Sequence, residues 1–387
     1  MRRLFLVAVV GVAVVVGGSG AAGSPATAES RWVIRSLGTL GGSYSLAYAI
    51  NERGQVAGTS QTAAGKQHVF LWANGRMTDL GRYDGDGLFL NERGQVAWNE
   101  PGRGNPDGVH TERRAFVWKD GVTTKLGQIR VVGMNDRGQI VGGILAANGE
   151  DHAALWENGR VRDLGTLPGG KSSYGASING KGQVVGSSDT GGKDEDGNPI
   201  LHAFLWRDGK MRDLGVLPGF ARGCWANLVN ERGQVFGSCA YAPGAGRRAH
   251  AFLWDDGRMR DLGPFPDSPT LFNERGDVAG YGYGGGFHAF FWADGKMTVL
   301  GNLGVKETSA YALNDKGQVV GESRTKTGAR HAFVWENGKM TDLGTLPGGR
   351  NSRADAINNK SQIVGGSVER GYNARSRAVL WTLRHGA

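Results

Sequence analysis

Six histidines stand at one repeated place in this chain: His68, His152, His202, His250, His288 and His331. Five aspartates stand at another, each ahead of a leucine: Asp79, Asp163, Asp213, Asp261 and Asp342. Imidazole and carboxylate are the side chains that bind zinc or move protons, so metal and acid–base chemistry are the first readings to weigh. Zinc needs its ligands to converge at about 2 Å from one ion. Here the histidines belong to separate repeats, and Arg114 and Arg377 take their place in two others. Substitution by arginine suits a hydrogen-bonding group better than a ligand. Lys125 and Val299 likewise replace the aspartate, so both columns read as scaffold, and no metal or cofactor is expected. Asp194-Glu195-Asp196-Gly197-Asn198 clusters oxygen ligands of the kind calcium takes, but without a bidentate glutamate at EF-hand spacing. That loop reads as solvated, with calcium as the open alternative over 189–201. No Gly-x-Ser-x-Gly elbow, phosphate loop or His-Glu-x-x-His is present.

The only two cysteines, Cys224 and Cys239, flank a hairpin centred on the turn 230–233. If Asn230 pairs with Gly233, the same register sets the two cysteines opposite one another, and a bulged turn would shift them by one residue. In a secreted chain this pair reads as a disulfide, contributing about 2–3 kcal/mol.

The elements that carry these residues repeat. A phrase best seen as HAFLWRDGKMRDLGVLPG from His202 and HAFVWENGKMTDLGTLPGG from His331 is written eight times. Turn asparagines fall at Asn51, Asn91, Asn135, Asn179, Asn230, Asn273, Asn314 and Asn358, spaced by 40, 44, 44, 51, 43, 41 and 44 residues. A tryptophan follows each: Trp72, Trp118, Trp156, Trp206, Trp254, Trp292, Trp335 and Trp381. An indole buries a large apolar area, so these are expected between units as core. A period in the low forties matches one four-stranded propeller blade. Each unit shows two hairpins, one turned by Asn-x-x-Gly and one by Asn-Gly or Asp-Gly, with alternating apolar and polar residues between them. The class is all-β.

The eighth unit reaches Ala378-Val379-Leu380-Trp381 and lacks a full fourth strand. Trp32-Val33-Ile34-Arg35-Ser36-Leu37-Gly38 has the fourth-strand pattern and stands ahead of the first unit. An eight-bladed propeller whose last blade is closed by this N-terminal strand uses both and leaves no sheet edge open. Irregularity in the second and sixth units keeps seven blades plus an irregular segment as the alternative.

The phrase resembles the HAF repeat of bacterial extracellular proteins, named for His-Ala-Phe as at His202-Ala203-Phe204, His250-Ala251-Phe252, His288-Ala289-Phe290 and His331-Ala332-Phe333. The resemblance covers nearly the whole mature chain. It implies secretion and a propeller-like repeat fold, and carries no catalytic residue over.

Arg2 and Arg3 precede a 13-residue apolar run, Leu4 to Val16, and Ala26-Thr27-Ala28 has the small-x-small form of a signal-peptidase site. Spanning a bilayer takes about 20 apolar residues, so residues 1–28 read as a removed secretory signal and 29–387 as one propeller domain. The mature chain then has 43 Lys and Arg against 36 Asp and Glu, a net charge of about +7 spread over most units. That spread argues against nucleic acid as a partner, and a monomer is expected.

In such a fold both tight turns of a unit lie on one face of the ring. The variable loops and Pro-Gly crossovers lie on the other, which is free to diversify. Counting back five from each turn asparagine reaches Leu46, Asp86, Arg130, Tyr174, Trp225, Ser268, Ser309 and Arg353, expected to border the axial opening. Of these, Asp86, Arg130, Tyr174, Trp225 and Arg353 form the candidate ligand-binding rim. Three functions fit: a secreted binding module for a glycan or surface protein; a lyase or hydrolase needing Asp86, Arg130, Tyr174 and Arg353 to converge; or a structural protein without a discrete ligand.

Overall fold

A computed structural model describes residues 31–85, 87–100, 114–220, 222–240, 249–265, 268–282, 288–369 and 375–384, with main chain alone at 268–270 and 369. The 1–28 segment and Asp86 lie outside the described residues.

Strand order follows the repeats. Each unit is an antiparallel meander of four strands, and eight such blades succeed one another. The innermost strands are Gly41–Ile50, Leu88–Leu90, Arg130–Met134, Ser173–Ile178, Gly223–Val229, Ser268–Phe272, Gly304–Leu313 and Gly349–Ile357, in blades 1 to 8. The second and sixth units are complete blades, so the seven-bladed alternative falls away. Among the described residues there is no α-helix, and hence none able to cross a membrane.

The ring closes as expected. Arg31–Gly38 pairs antiparallel with Ser376–Arg384 as the fourth strand of blade 8, setting Ile34 opposite Trp381 and Arg35 opposite Leu380. Gly41–Ile50 of blade 1 packs against the three other strands of blade 8.

The turn asparagines explain why one residue recurs so faithfully. In Asn179, Oδ1 accepts the backbone N–H groups of Lys181 at 3.1 Å and Gln183 at 3.0 Å. Its Nδ2 donates to Gln183 Oε1 at 2.7 Å and to the carbonyl of Asn230, in the next blade, at 2.9 Å. The link between blades repeats from Asn51 to Asn91, Asn91 to Asn135, Asn135 to Asn179, Asn230 to Asn273, Asn273 to Asn314 and Asn314 to Asn358. Asn358 completes the circle on the carbonyl of Asn51 at 2.9 Å. These asparagines are at most 5% exposed, so every buried amide atom is used.

The next residue adds a second hoop. The N–H of Glu52 donates to Glu92, Glu92 to Asp136, Glu231 to Glu274, Glu274 to Asp315, Asp315 to Asn359, and Asn359 to Glu52. Gly180, having no side chain, breaks it once, though its own N–H still reaches Glu231. Burial pushes the Glu92 and Glu274 carboxyls up.

The second hairpin turns with φ of 45–51° at Asn74, Asp120, Asn158, Asp208, Asp256, Asp294 and Asn337, followed by a glycine also at positive φ. Two such residues in sequence are what a type I′ turn requires.

The phenylalanine of the repeat answers a glycine. A Cβ on Gly186 would lie 1.9 Å from the carbonyl oxygen of Tyr174 and 2.9 Å from the ring of Phe204. Gly58 over Phe70 and Gly237 over Phe252 repeat the fit. In blades 3 and 8 the phenylalanine is replaced by Ala154 and Val379, and in blade 2 it is the glycine that is replaced: the inner strand is three residues long, and Trp98 occupies the glycine position, stacked on Phe116 at 5.7 Å. The repeat tryptophans stand between blades, as expected; Arg35 lies over Trp72 at 4.8 Å and Arg162 over Trp206 at 5.1 Å from the preceding blade.

Histidine and aspartate meet. His68, His152, His202, His250 and His331 each contact, through Nδ1, Asp79, Asp163, Asp213, Asp261 and Asp342 at 2.8–2.9 Å. The same aspartates accept the N–H two residues on, for example Gly215 at 2.7 Å. The pair therefore ties the third strand to the end of the fourth. Ser36, taking the aspartate's place in blade 8, accepts from Gly38 at 3.1 Å.

Cys224 and Cys239 are opposite one another and joined in a disulfide. The route differs from the expected one. The carbonyl of Asn230 accepts from Gly233 but its N–H donates to Gln234, which sets the strands one residue out, Val229 opposite Val235; a bulge between Ala226 and Leu228 restores the register.

Candidate functional site at the axial mouth

The bulge is a general device, present in the inner strand of seven blades, three residues before the turn asparagine. An extra residue in one strand re-aims the side chains around it. In blades 7, 8 and 1 the bulged residues are Tyr311, Asp355 and Tyr48. These were not in the candidate rim; the position is as variable as the one five before the asparagine, and that variability was the available signal.

Arg353 is at the heart of the arrangement. Its Nη2 is 2.7 Å from Asp355 Oδ1, and its Cζ lies 5.3 Å from the centre of the Tyr311 ring in the neighbouring blade. The other carboxyl oxygen, Asp355 Oδ2, is buried without a hydrogen-bond partner. Burial pushes the Asp355 carboxyl up to about 6, with the Arg353 charge opposing and Glu322 adding to the rise. Burial also raises the Tyr311 and Tyr44 phenols, helped at Tyr311 by Glu322 and at Tyr44 by Tyr48.

A charged chain runs outward from there. Tyr311 Oη donates to Glu322 Oε1 at 3.3 Å, and Arg330 Nη1 to the same oxygen at 2.6 Å. Glu307 receives Arg324 at 2.8 Å and Arg330 at 3.4 Å. A cavity of about 180 Å³ opens among Tyr281, Ser309, Tyr311, Glu322 and Arg330. Its walls are the inner strand of blade 7, the later half of that blade's second strand and the start of its third, with Tyr281 from the second strand of blade 6. Such a wall offers alternating donors and acceptors beside aromatic faces, which is what a neutral polyhydroxylated ligand uses.

The other candidates divide. Arg130 and Tyr174 are exposed and Trp225 is half-buried, on the consecutive inner strands of blades 3, 4 and 5. In a ring of eight those blades stand across the axis from blades 7, 8 and 1. Leu46 fills the space over Gly366, leaving no room there for a side chain. Among the described residues no cluster of three or more His, Cys, Asp or Glu could hold a metal. Asp194 spends Oδ1 on the N–H groups of Asp196 at 3.0 Å and Asn198 at 2.8 Å, closing its own turn.

No family model and no curated protein matches the chain. Among solved structures it is similar to the β-propeller domain of the Trilobed protease from Pyrococcus furiosus, with 12% identity, a TM-score of 0.49, and 77% of this chain and 98% of that one covered. It is similar to TolB from Acinetobacter baumannii, with 12% identity, a TM-score of 0.41, and 67% of this chain and 64% of that one covered. For the uncomplexed acylaminoacyl peptidase of Pyrococcus horikoshii the values are 11%, 0.48, 86% and 59%. The chain thus spans about two thirds or less of the latter two proteins.

Proposed function

We propose that this chain is a secreted, monomeric propeller of the HAF-repeat kind that binds a polar extracellular ligand, a glycan or the glycan of a surface protein. The site is the axial mouth on the loop face, at blades 7, 8 and 1. The apolar run Leu4 to Val16, the small-x-small segment at Ala26-Thr27-Ala28 and the disulfide support the secreted setting. One observation carries the binding reading: Asp355 Oδ2 is buried and unpartnered beside Arg353 and Tyr311. A buried acceptor without a donor is costly, and a ligand hydroxyl would supply that donor while its ring lies against Tyr311. The lyase or hydrolase reading asks for Arg130 and Tyr174, on blades 3 and 4, to meet Arg353 of blade 8 across the axis.

A glycan array and a polysaccharide-depolymerisation screen on residues 29–387 test this reading. Retention without product is expected, falling at least tenfold in Asp355→Asn and Arg353→Ala. Product formed by the wild type and lost in Arg130→Ala would replace binding by catalysis. Silence in both assays would leave a structural role.

A further inference from the structure

The opposite face, where the tight turns lie, has clefts at the seams between blades. Each fourth strand carries one residue at the place from which Arg35, Arg162 and Arg212 lie over the tryptophan of the next blade. That residue is Arg35, Arg162, Arg212 or Arg260 at four seams and Thr78, Thr124, Thr298 or Thr341 at the other four. Two of the arginine seams are closed off. A Cβ on Gly209 would lie 3.1 Å from Arg162 Nη2, and one on Gly257 would lie 3.5 Å from Arg212 Nη2, so each guanidinium fills the space under the next turn. At Gly75 and Gly295 nothing stands within 4 Å of such an atom. Those are the seams that open, into clefts of about 420 Å³ between blades 8 and 1 and about 490 Å³ between blades 5 and 6.

Matching positions build the two clefts, but their charges differ. Between blades 5 and 6 the walls include Asp261, Asp277 and Asp294. Asp277 holds Arg275 at 2.7 Å and 2.8 Å, which neutralises it. Between blades 8 and 1 the counterpart of Asp277 is Gln55, and no carboxylate lines the cleft. Neither Arg35 nor Arg53 has an ion pair among the described residues, though the Arg53 charge acts on the Glu92 carboxyl of the next blade and opposes its rise. Gln55 and Gln362 turn Oε1 toward Asn51 and Asn358, each at 2.8 Å. Those asparagines use their own oxygens on backbone N–H groups, so the orientation of both glutamine amides is set. The two Nε2 groups are left with no partner among the described residues. Arg35 is already held over Trp72 at 4.8 Å, so little of its freedom remains to be lost on binding.

We propose that the cleft between blades 8 and 1 binds an oxyanion, the carboxylate or phosphate group of an acidic surface glycopolymer. Arg35, Arg53, Gln55 and Gln362 line one cleft in which no carboxylate takes part, and guanidinium and amide N–H groups are the complement of such a group. The site is separate from the axial mouth and does not depend on it.

Titration calorimetry with trigalacturonate, glycerol phosphate and maltotriose tests this on the 29–387 chain. At least one of the two anionic probes binds, telling carboxylate from phosphate, and maltotriose does not occupy this cleft. Arg35→Thr, which installs the residue four other seams carry, and Arg53→Gln, on an exposed turn, each weaken the anionic probe at least tenfold. Arg260→Thr, at the equivalent point between blades 5 and 6, and Asp355→Asn, in the axial mouth, leave it unchanged. Failure of both anionic probes to bind overturns the proposal. So does an equal loss in Arg260→Thr, which would mean diffuse attraction to positive charge.

Discussion

The two faces of this ring obey different rules. On the turn face every blade contributes the same asparagine, the same two bonds to its own strand and the same bond to its neighbour. From the inner strands toward the loop face, Arg353, Asp355, Tyr311, Glu322 and Arg330 form a cluster that the blades opposite do not reproduce. The difference teaches where to look in a repeat protein: what recurs joins the units, and chemistry begins where a column of equivalent residues stops agreeing. Repetition is not confined to one side, because the His–Asp pairs sit at the loop-side ends of their strands. They occupy the outer strands, and the variable residues surround the axis.

Four measurements break or sharpen that contrast. Asn314→Ala removes a side chain with bonds to Lys316, Gln318 and Asn358, and is expected to lower unfolding free energy in urea by about 3 kcal/mol. An equal loss for Ser309→Ala on the loop side would erase the distinction between faces. The second concerns Asp355, whose carboxyl titrates near 6 rather than 3.8. A raised acid stabilises the fold fully below its unfolded value and loses that contribution as pH rises through about 6. Wild-type stability is therefore expected to fall by about 2–3 kcal/mol between pH 4 and pH 7.5, measured against Asp355→Asn, which abolishes the slope. Third, reduction of Cys224–Cys239, or the double serine variant, is expected to cost about 2 kcal/mol in the same assay, since the bond closes a hairpin already held by its ladder. Smallest is the outer circumference. His331→Ala is expected to cost at most about 1 kcal/mol, because Asp342 is 42% exposed. His288→Ala should cost less still, Val299 standing where the aspartate would be.

Ring closure is legible because the fourth-strand phrase is written once ahead of its unit and is short once at the other end. The cysteine pairing is legible for a less secure reason. The turn is one residue longer than the Asn230–Gly233 reading supposes, and the bulge at Asn227 takes that residue back. Two departures compensate. The same bulge hides the axial chemistry, since a count in whole strand steps reaches Arg353 and passes over Asp355 and Tyr311. No single residue type marks a bulge: Tyr48, Val132, Ala176, Asn227, Tyr311 and Asp355 all occupy it. Backbone register decides it, and register belongs to the paired strands together. Histidine and aspartate were each recognisable as scaffold in isolation. Their partnership needed the third and fourth strands side by side.

The asparagine hoop has a direction: every amide donates to the unit that follows it in the chain, and the last donates to the first. Each joint is therefore head-to-tail, with donor and acceptor surfaces on opposite flanks of every blade. A joint of that kind is indifferent to how many members the circle has. A gene that gained or lost one whole blade would meet the same handshake at the new boundary, and only the wedge angle between neighbours would have to adjust.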